Sequence, residues 1–242
     1  TMVFGRVSTD QRDIVKQSML AIAGFAYANR NREFSNNDPN ITVYGLNSNE
    51  IKQVNSELRS MASNFAGRIV KVKGYEYTNN REKLWSSLRC QSVCMMLSLH
   101  EGFGLAGWEA ISAGVPLIVS ENSGLYELLC QKRLNLKVCS LNISGDSDKK
   151  DDSNDIKRVA KFLREIRKDL EAYKKNAIEL RKTLLNEGCT WENTALTLTK
   201  AVGIETKEEA RIRKMMNIIR KRIDSIPEIA AFSKWQWETI MD

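Results

Sequence analysis

The chain has 242 residues, 42% hydrophobic and 28% charged, ordinary proportions for a globular protein built on one sizeable core. Its net charge of +7 suits an anionic partner, but no RNA-binding aromatic motif or zinc-finger spacing accompanies it, so no nucleic acid is expected. The apolar runs break well short of the ~20 residues a bilayer span needs and no signal peptide is read; association with a membrane is possible but unsupported.

Strands alternating with helices predict an α/β fold, an open parallel sheet with helices on both faces. Residues 2–7 read as a first strand, an abrupt start that points to a chain cut from something longer. Residues 13–29 carry apolar side chains at helical spacing. A loop at 36–40 precedes a strand at 41–46, an amphipathic helix at 50–66 and a strand at 69–72, with Lys73-Gly74 after it. A short helix is predicted at 81–89 and a buried strand at 92–97. The loop 101–104 opens a helix that stops at Gly114, since glycine takes the left-handed conformation and Pro116 cannot continue a helix. A strand at 117–120, a helix at 125–131 and a last strand at 136–141 follow. Residues 144–154 form a charged loop, 155–186 one long helix, and a further helix begins near Trp191. From 205 a basic helix, broken at Pro227, ends in Trp235 and Trp237. The division expected is a Rossmann-like domain at 1–204 and a basic helical tail at 205–242.

The cysteines, Cys90, Cys94, Cys130, Cys139 and Cys189, are odd in number and irregularly spaced. They predict free thiols in a reducing, cytoplasmic setting. His100 is the only histidine, which excludes a metal site needing two imidazoles from this chain.

The segment 101–127, EGFGLAGWEAISAGVPLIVSENSGLYE, carries the sharpest signal. A buried strand runs into a glycine loop, and the loop runs into a helix. Gly102 and Gly104 let the backbone approach a ligand. The helix start offers N–H groups from Phe103, Gly104 and Leu105, and with the helix dipole these suit a phosphate or diphosphate. In an open parallel sheet such a loop falls at the carboxyl ends of the strands, where ligands bind. Glu101 and Glu109 flank the loop. An ionised carboxylate only accepts hydrogen bonds, so it suits sugar hydroxyls. Two acids around a phosphate loop match a molecule with phosphates in the middle and a sugar at each end.

Glu101-x7-Glu109 within EGFGLAGWEAISAGVP resembles the EX7E motif of retaining glycosyltransferases with the GT-B fold, specifically the group 1, or family four, enzymes. Further pieces resemble that family in the same order: Phe4-Gly5-Arg6, Val43-Tyr44-Gly45, the strand from Val70 to Tyr75, the second glycine loop at 120–127, and Cys189-Thr190-Trp191-Glu192. The resemblance covers residues 2–203 and implies the C-terminal, donor-binding half of a GT-B enzyme. It implies that Glu109 holds the ribose hydroxyls and Glu101 those of the donor sugar. The amides of Phe103, Gly104 and Leu105 would meet the diphosphate and sugar, with Arg6 clamping the diphosphate, the base near Gly74 and Tyr75, and Gly5 and Gly102 also in the nucleotide-sugar site. A lysine and a glycine usually follow the arginine by about five residues. Gln11 stands there, and Arg12 is the substitute cation. The reaction implied is transfer of a hexose to an acceptor hydroxyl with retention, without metal or other cofactor. An N-terminal Rossmann-like domain is the implied partner, and without it the fragment is expected to be inactive. The rival reading is a non-catalytic glycosyltransferase-like module for sensing or protein contact.

Overall fold

The computed structural model describes residues 1–4, 15–30, 39–47, 49, 51–78, 80–144 and 154–201. Strands β1 (Met2–Phe4), β2 (Asn40–Leu46), β3 (Lys71–Glu76), β4 (Cys94–Met96), β5 (Leu117–Ser120) and β6 (Cys139–Leu141) form one sheet in the order β3-β2-β1-β4-β5-β6. All the pairings are parallel. Parallel neighbours need crossovers. The helices α1 (Ser18–Ala28), α2 (Ile51–Ala66), α3 (Arg81–Arg89), α4 (Leu105–Ser112) and α5 (Gly124–Gln131) supply them, and α6 (Asn154–Lys168) follows β6. This is the Rossmann-like open sheet that the sequence predicts.

Strand alternation sorts the core into two layers. Val3, Met95 and Ile118 join one buried cluster with α1, α2 and α6. Their neighbours Met96 and Leu117 instead lie against Gly107 of α4. Helix α1 is buried almost all round, which explains its alanine-rich, uniformly apolar sequence. Gly24 lets α6 come close: a Cβ there would lie 2.4 Å from Val159 Cγ1. The far end of α1 is met by cations from α6, as the helix dipole favours. Arg164 Nη2 donates to the Tyr27 carbonyl at 2.9 Å, and Arg167 Nη1 donates to Asn29 Oδ1 at 3.3 Å.

Several boundaries differ from expectation. The strand expected at 69–72 is β3, Lys71–Glu76, so Gly74 and Tyr75 lie inside it. It pairs with β2 alone at the sheet edge, where Lys71 and Lys73 point to solvent and Ile69 is 73% exposed outside the strand. The single helix expected at 155–186 is two, α6 and α7 (Leu170–Asn186). Asp169 breaks it by accepting the Ala172 N–H on Oδ1, the bond of a helix N-cap. Strand β6 begins at Cys139, because 135–137 form a 3-10 turn that leaves Leu136 almost fully exposed. Helix α1 begins at Ser18, five residues later than periodicity suggested.

Contacts divide the chain into two units, Thr1–Thr78 with Leu88–Arg181, and Asn79–Ser87 with Lys182–Asp242. In the second, α8 (Trp191–Ala201) starts at the predicted tryptophan. Thr190 Oγ1 accepts the Asn193 N–H there, and Asn193 Nδ2 donates back to the Gly188 carbonyl. The basic tail, with Pro227, Trp235 and Trp237, lies outside the described residues, as do residues 5–14 and most of the charged loop. Among the described residues no helix is long and apolar enough to cross a membrane.

Candidate functional site

In the order β3-β2-β1-β4-β5-β6 the winding reverses between β1 and β4, and ligands of open α/β sheets bind beyond the carboxyl ends of strands at that point. Two connections meet there: the one leading into α1, described from Val15, and the one from β4 to α4. They are tied backbone to backbone, with the Leu99 N–H donating to the Val15 carbonyl at 2.7 Å.

Glu101 sits in the second connection with its backbone fixed. Its N–H donates to the Asn122 carbonyl at 3.1 Å, and it forms an isolated parallel bridge with Ser123. Its side chain is 19% exposed. Ser98 Oγ donates to Oε2 at 2.9 Å, and Lys16 Nζ reaches the same oxygen at 2.5 Å. Gly102 and Phe103 follow, both exposed, then Gly104 at φ 101°, a conformation that costs glycine almost nothing. Gly104 is the N-cap of α4 and has no side chain to satisfy the helix start. The N–H groups of Phe103, Gly104 and Leu105 have no acceptor among the described residues. Glu109 is exposed in the second turn of α4. Its charge adds to burial, the larger effect, in pushing the thiol of Cys94 up to about 12.

The second glycine loop is built in the opposite way. The Gly124 N–H donates to the Gly102 carbonyl at 2.8 Å and the Leu125 N–H to the Phe103 carbonyl at 2.6 Å. The Tyr126 N–H is capped by Ser123 Oγ and the Glu127 N–H by the Ser123 carbonyl. Every amide at the start of α5 is therefore taken, two of them in bracing the first loop. A Cβ on Gly124 would lie 2.4 Å from the Gly102 carbonyl oxygen, which is why glycine stands there.

Gly74 and Tyr75 lie in β3. The Gly74 N–H donates to Asn55 Oδ1 at 2.7 Å and its carbonyl accepts from Asn55 Nδ2 at 3.2 Å, so the α2 side chain holds both groups. Tyr75, 38% exposed, stacks on Tyr44 with ring centres 4.9 Å apart. Trp108 is half-buried and tilts against Phe103, ring centres 5.7 Å apart, and His100 is exposed. Gly5, Arg6, Gln11 and Arg12 lie outside the described residues. So does the chain's one Asp-x-Asp sequence beside a glycine, Asp146-Ser147-Asp148. Among the described residues no three His, Cys, Asp or Glu side chains cluster as metal ligands do.

Sequence reasoning missed Lys16, Ser98 and Asn55. It sought a lysine five residues beyond Arg6, whereas Lys16 lies ten beyond it. The usable signal is the helix register, not the spacing: Lys16 stands two residues before the first residue of α1. Gln17, next to it, has φ 50°, the left-handed conformation that a glycine would take more cheaply.

A family model described as GT4-conflict, family 4 glycosyltransferase in conflict systems, matches residues 1–198. No curated protein matches the sequence. Among solved structures, the C-terminal domain of the group 1 glycosyltransferase LpcC from Francisella tularensis superposes with a TM-score of 0.56 at 16% identity, over 76% of this chain and 83% of that one. Anabaena HepE, solved with UDP and glucose, gives 0.53 at 15% identity over 82% of this chain. Trehalose-6-phosphate synthase from Burkholderia multivorans gives 0.52 at 13% identity over 85%. The chain spans 48% of the HepE chain and 44% of the synthase chain. At these identities the likeness is one of fold. Together with the family match over most of its length, it places the chain among the family 4 glycosyltransferases of conflict systems, with the fold of the C-terminal domain of group 1, GT-B enzymes.

Proposed function

We propose that this chain binds the nucleoside diphosphate sugar donor of a retaining hexosyl transfer, in the crevice beyond β1 and β4. The observation that carries the reading is the contrast between two adjacent helix starts. The amides of α5 are all taken, while those of Phe103, Gly104 and Leu105 at α4 have no acceptor among the described residues. Open amides at a helix N-terminus suit a pyrophosphate. Glu101 on one side and Glu109 on the other then fall to the hydroxyls of the sugar and the ribose. HepE was solved with UDP and glucose, which supports a nucleotide sugar as the ligand class.

In the transfer, the acceptor hydroxyl oxygen attacks the anomeric carbon on the face the phosphate leaves. The bond from that carbon to the phosphate oxygen breaks, and the hydroxyl proton passes to the departing phosphate. Charge builds on the diphosphate, so the α4 amides, with Arg6 and Arg12 from the β1–α1 connection, would stabilise the transition state more than the ground state. Tyr75 is the group left to receive the base, since the backbone of Gly74 is held by Asn55. The acceptor would lie on a second Rossmann-like domain, so turnover by this chain alone is expected to be absent.

Calorimetric titration with UDP-glucose, GDP-mannose and ADP-glucose tests the reading. Binding by one of them, lost in Glu109→Ala, is expected. No binding by any of the three would favour a non-catalytic module.

A further inference from the structure

We propose that Lys16 and Ser98 are positioning residues that lock Glu101 so that a single oxygen, Oε1, is offered to a hydroxyl of the donor sugar. The inference rests on the donor-site reading above and adds to it the means by which the sugar is recognised.

Both groups converge on one oxygen. Lys16 Nζ lies 2.5 Å from Oε2 and Ser98 Oγ donates to it at 2.9 Å. Oε1 has no partner among the described residues. A free carboxylate can swing through several rotamers and exchange its two oxygens; one held twice on the same oxygen cannot without breaking both bonds. Ser98 is 1% exposed at the end of β4, so no water competes for its hydroxyl. Lys16 is held from behind, since the carbonyl of its neighbour Val15 accepts the Leu99 N–H at 2.7 Å. The Glu101 backbone is pinned to Asn122 on its other side. The carboxylate is thus fixed at both ends, and its remaining oxygen, unpartnered among the described residues, is an acceptor for an O–H donor. Fixing a polar group before the ligand arrives raises affinity by lowering the ordering cost of binding.

This role differs measurably from that of a cation whose task is to hold phosphate. A phosphate ligand contributes to the nucleoside diphosphate and to the nucleotide sugar alike. A group that orients Glu101 contributes only when the sugar is present.

The experiment titrates the purified chain with UDP, GDP and ADP and with UDP-glucose, GDP-mannose and ADP-glucose. The pair that the wild type binds best is then measured with Lys16→Met, Lys16→Arg and Ser98→Ala. Lys16→Met is expected to weaken the nucleotide sugar about tenfold, the scale of one charge-assisted hydrogen bond, and the parent diphosphate less than about twofold. Lys16→Arg should restore most of the loss, and Ser98→Ala should show a smaller loss of the same sugar-dependent kind. Lys16 is 42% exposed, so its replacement is expected to leave the fold intact, and a melting curve for each variant checks that the titrated protein is folded. Equal weakening of both ligands by Lys16→Met, or no weakening of either, overturns the inference while leaving the donor site standing. A wild type that binds none of the sugars overturns the donor-site reading and this inference with it.

Discussion

Replacing Gly124 with alanine tests whether the second glycine loop exists to support the first. The new Cβ would lie 2.4 Å from the Gly102 carbonyl oxygen and 3.3 Å from Phe103 Cα, all backbone atoms that no rotamer change can move aside. Restoring an ordinary contact separates the two loops by about 1 Å. The bonds from the Gly124 and Leu125 N–H groups, now 2.8 and 2.6 Å, would then stretch to the limit of hydrogen bonding or past it. Two weakened backbone bonds at about 1 kcal/mol each, with some repacking, give a loss of about 2–3 kcal/mol. Gly102→Ala is the matched control, because a Cβ there meets nothing within 4 Å. It should leave stability within about 0.5 kcal/mol of the parent, yet weaken a ligand that lies against that backbone. Urea unfolding of both variants, followed by titration of the best-binding nucleotide sugar, separates the effects. Equal stability of Gly124→Ala and wild type, or equal loss in both variants, would show that the loops are not coupled through this contact.

Three further substitutions probe the frame behind the site. Gly24→Ala gains about 1 kcal/mol of helix propensity but drives a Cβ into Val159, whose branched side chain has no rotamer to retreat to. Overpacking should win by about 1 kcal/mol, and because Val159 Cβ itself lies 2.7 Å from the new atom, Val159→Gly rather than Val159→Ala should suppress that cost in the double variant; simple additivity in urea melts would refute the contact. Ser18 Oγ is buried without a partner among the described residues, so Ser18→Ala should raise stability by about 1 kcal/mol, and a fall would reveal a bond. The thiols of Cys94 and Cys139 are both pushed up to about 12, first by burial and then by the charges of Glu109 and Glu165 respectively. In the unfolded chain they ionise near 9, so the stability they lend is whole below pH 9 and is lost as pH rises from 9 towards 12. At pH 10 the loss is about 1.4 kcal/mol per thiol. Urea melts under reducing conditions at pH 7.5 and pH 10 should show it, and a Cys94→Ala, Cys139→Ala double variant should lose that part of the slope.

The elements legible in the sequence were those whose side chains face one environment throughout. Strand β5, Leu117–Ser120, is buried along its whole length, and an unbroken apolar run gave its limits. Strand β3 was misplaced because an edge strand obeys different rules. Its outward positions carry Lys71 and Lys73 and the inward position after Val72 is Gly74, so the apolar alternation stops at Val72 although pairing continues to Glu76. The α6–α7 break was hidden for another reason: Asp169 looks like one more charge on a solvated helix until its carboxylate is seen accepting the Ala172 N–H. At the candidate site, the loop and its two acids could be read from glycine placement and spacing. Lys16 could not, because its partner Glu101 lies 85 positions further along the chain, and linear distance from Arg6 says nothing of that.

The two glycine loops show what separates a candidate binding loop from a structural one when the residue types are the same. Each follows a strand, contains glycine and opens a helix. At α5 the loop residue Ser123 supplies both a hydroxyl and a carbonyl to the helix start, and two further amides find the carbonyls of Gly102 and Phe103. At α4 the cap is Gly104, which has no side chain to offer, and the carbonyls of Gly102 and Phe103 just before it are turned towards α5. The α5 helix start therefore does two things at once: it satisfies its own donors, and it holds the neighbouring loop in a shape that cannot satisfy its own. Donors left open in that way are stable only where water or an anion can reach them. Phe103 and Leu105, exposed on either side of the buried Gly104, meet that condition without opening the core beneath, where Met96 and Leu125 close on Gly107.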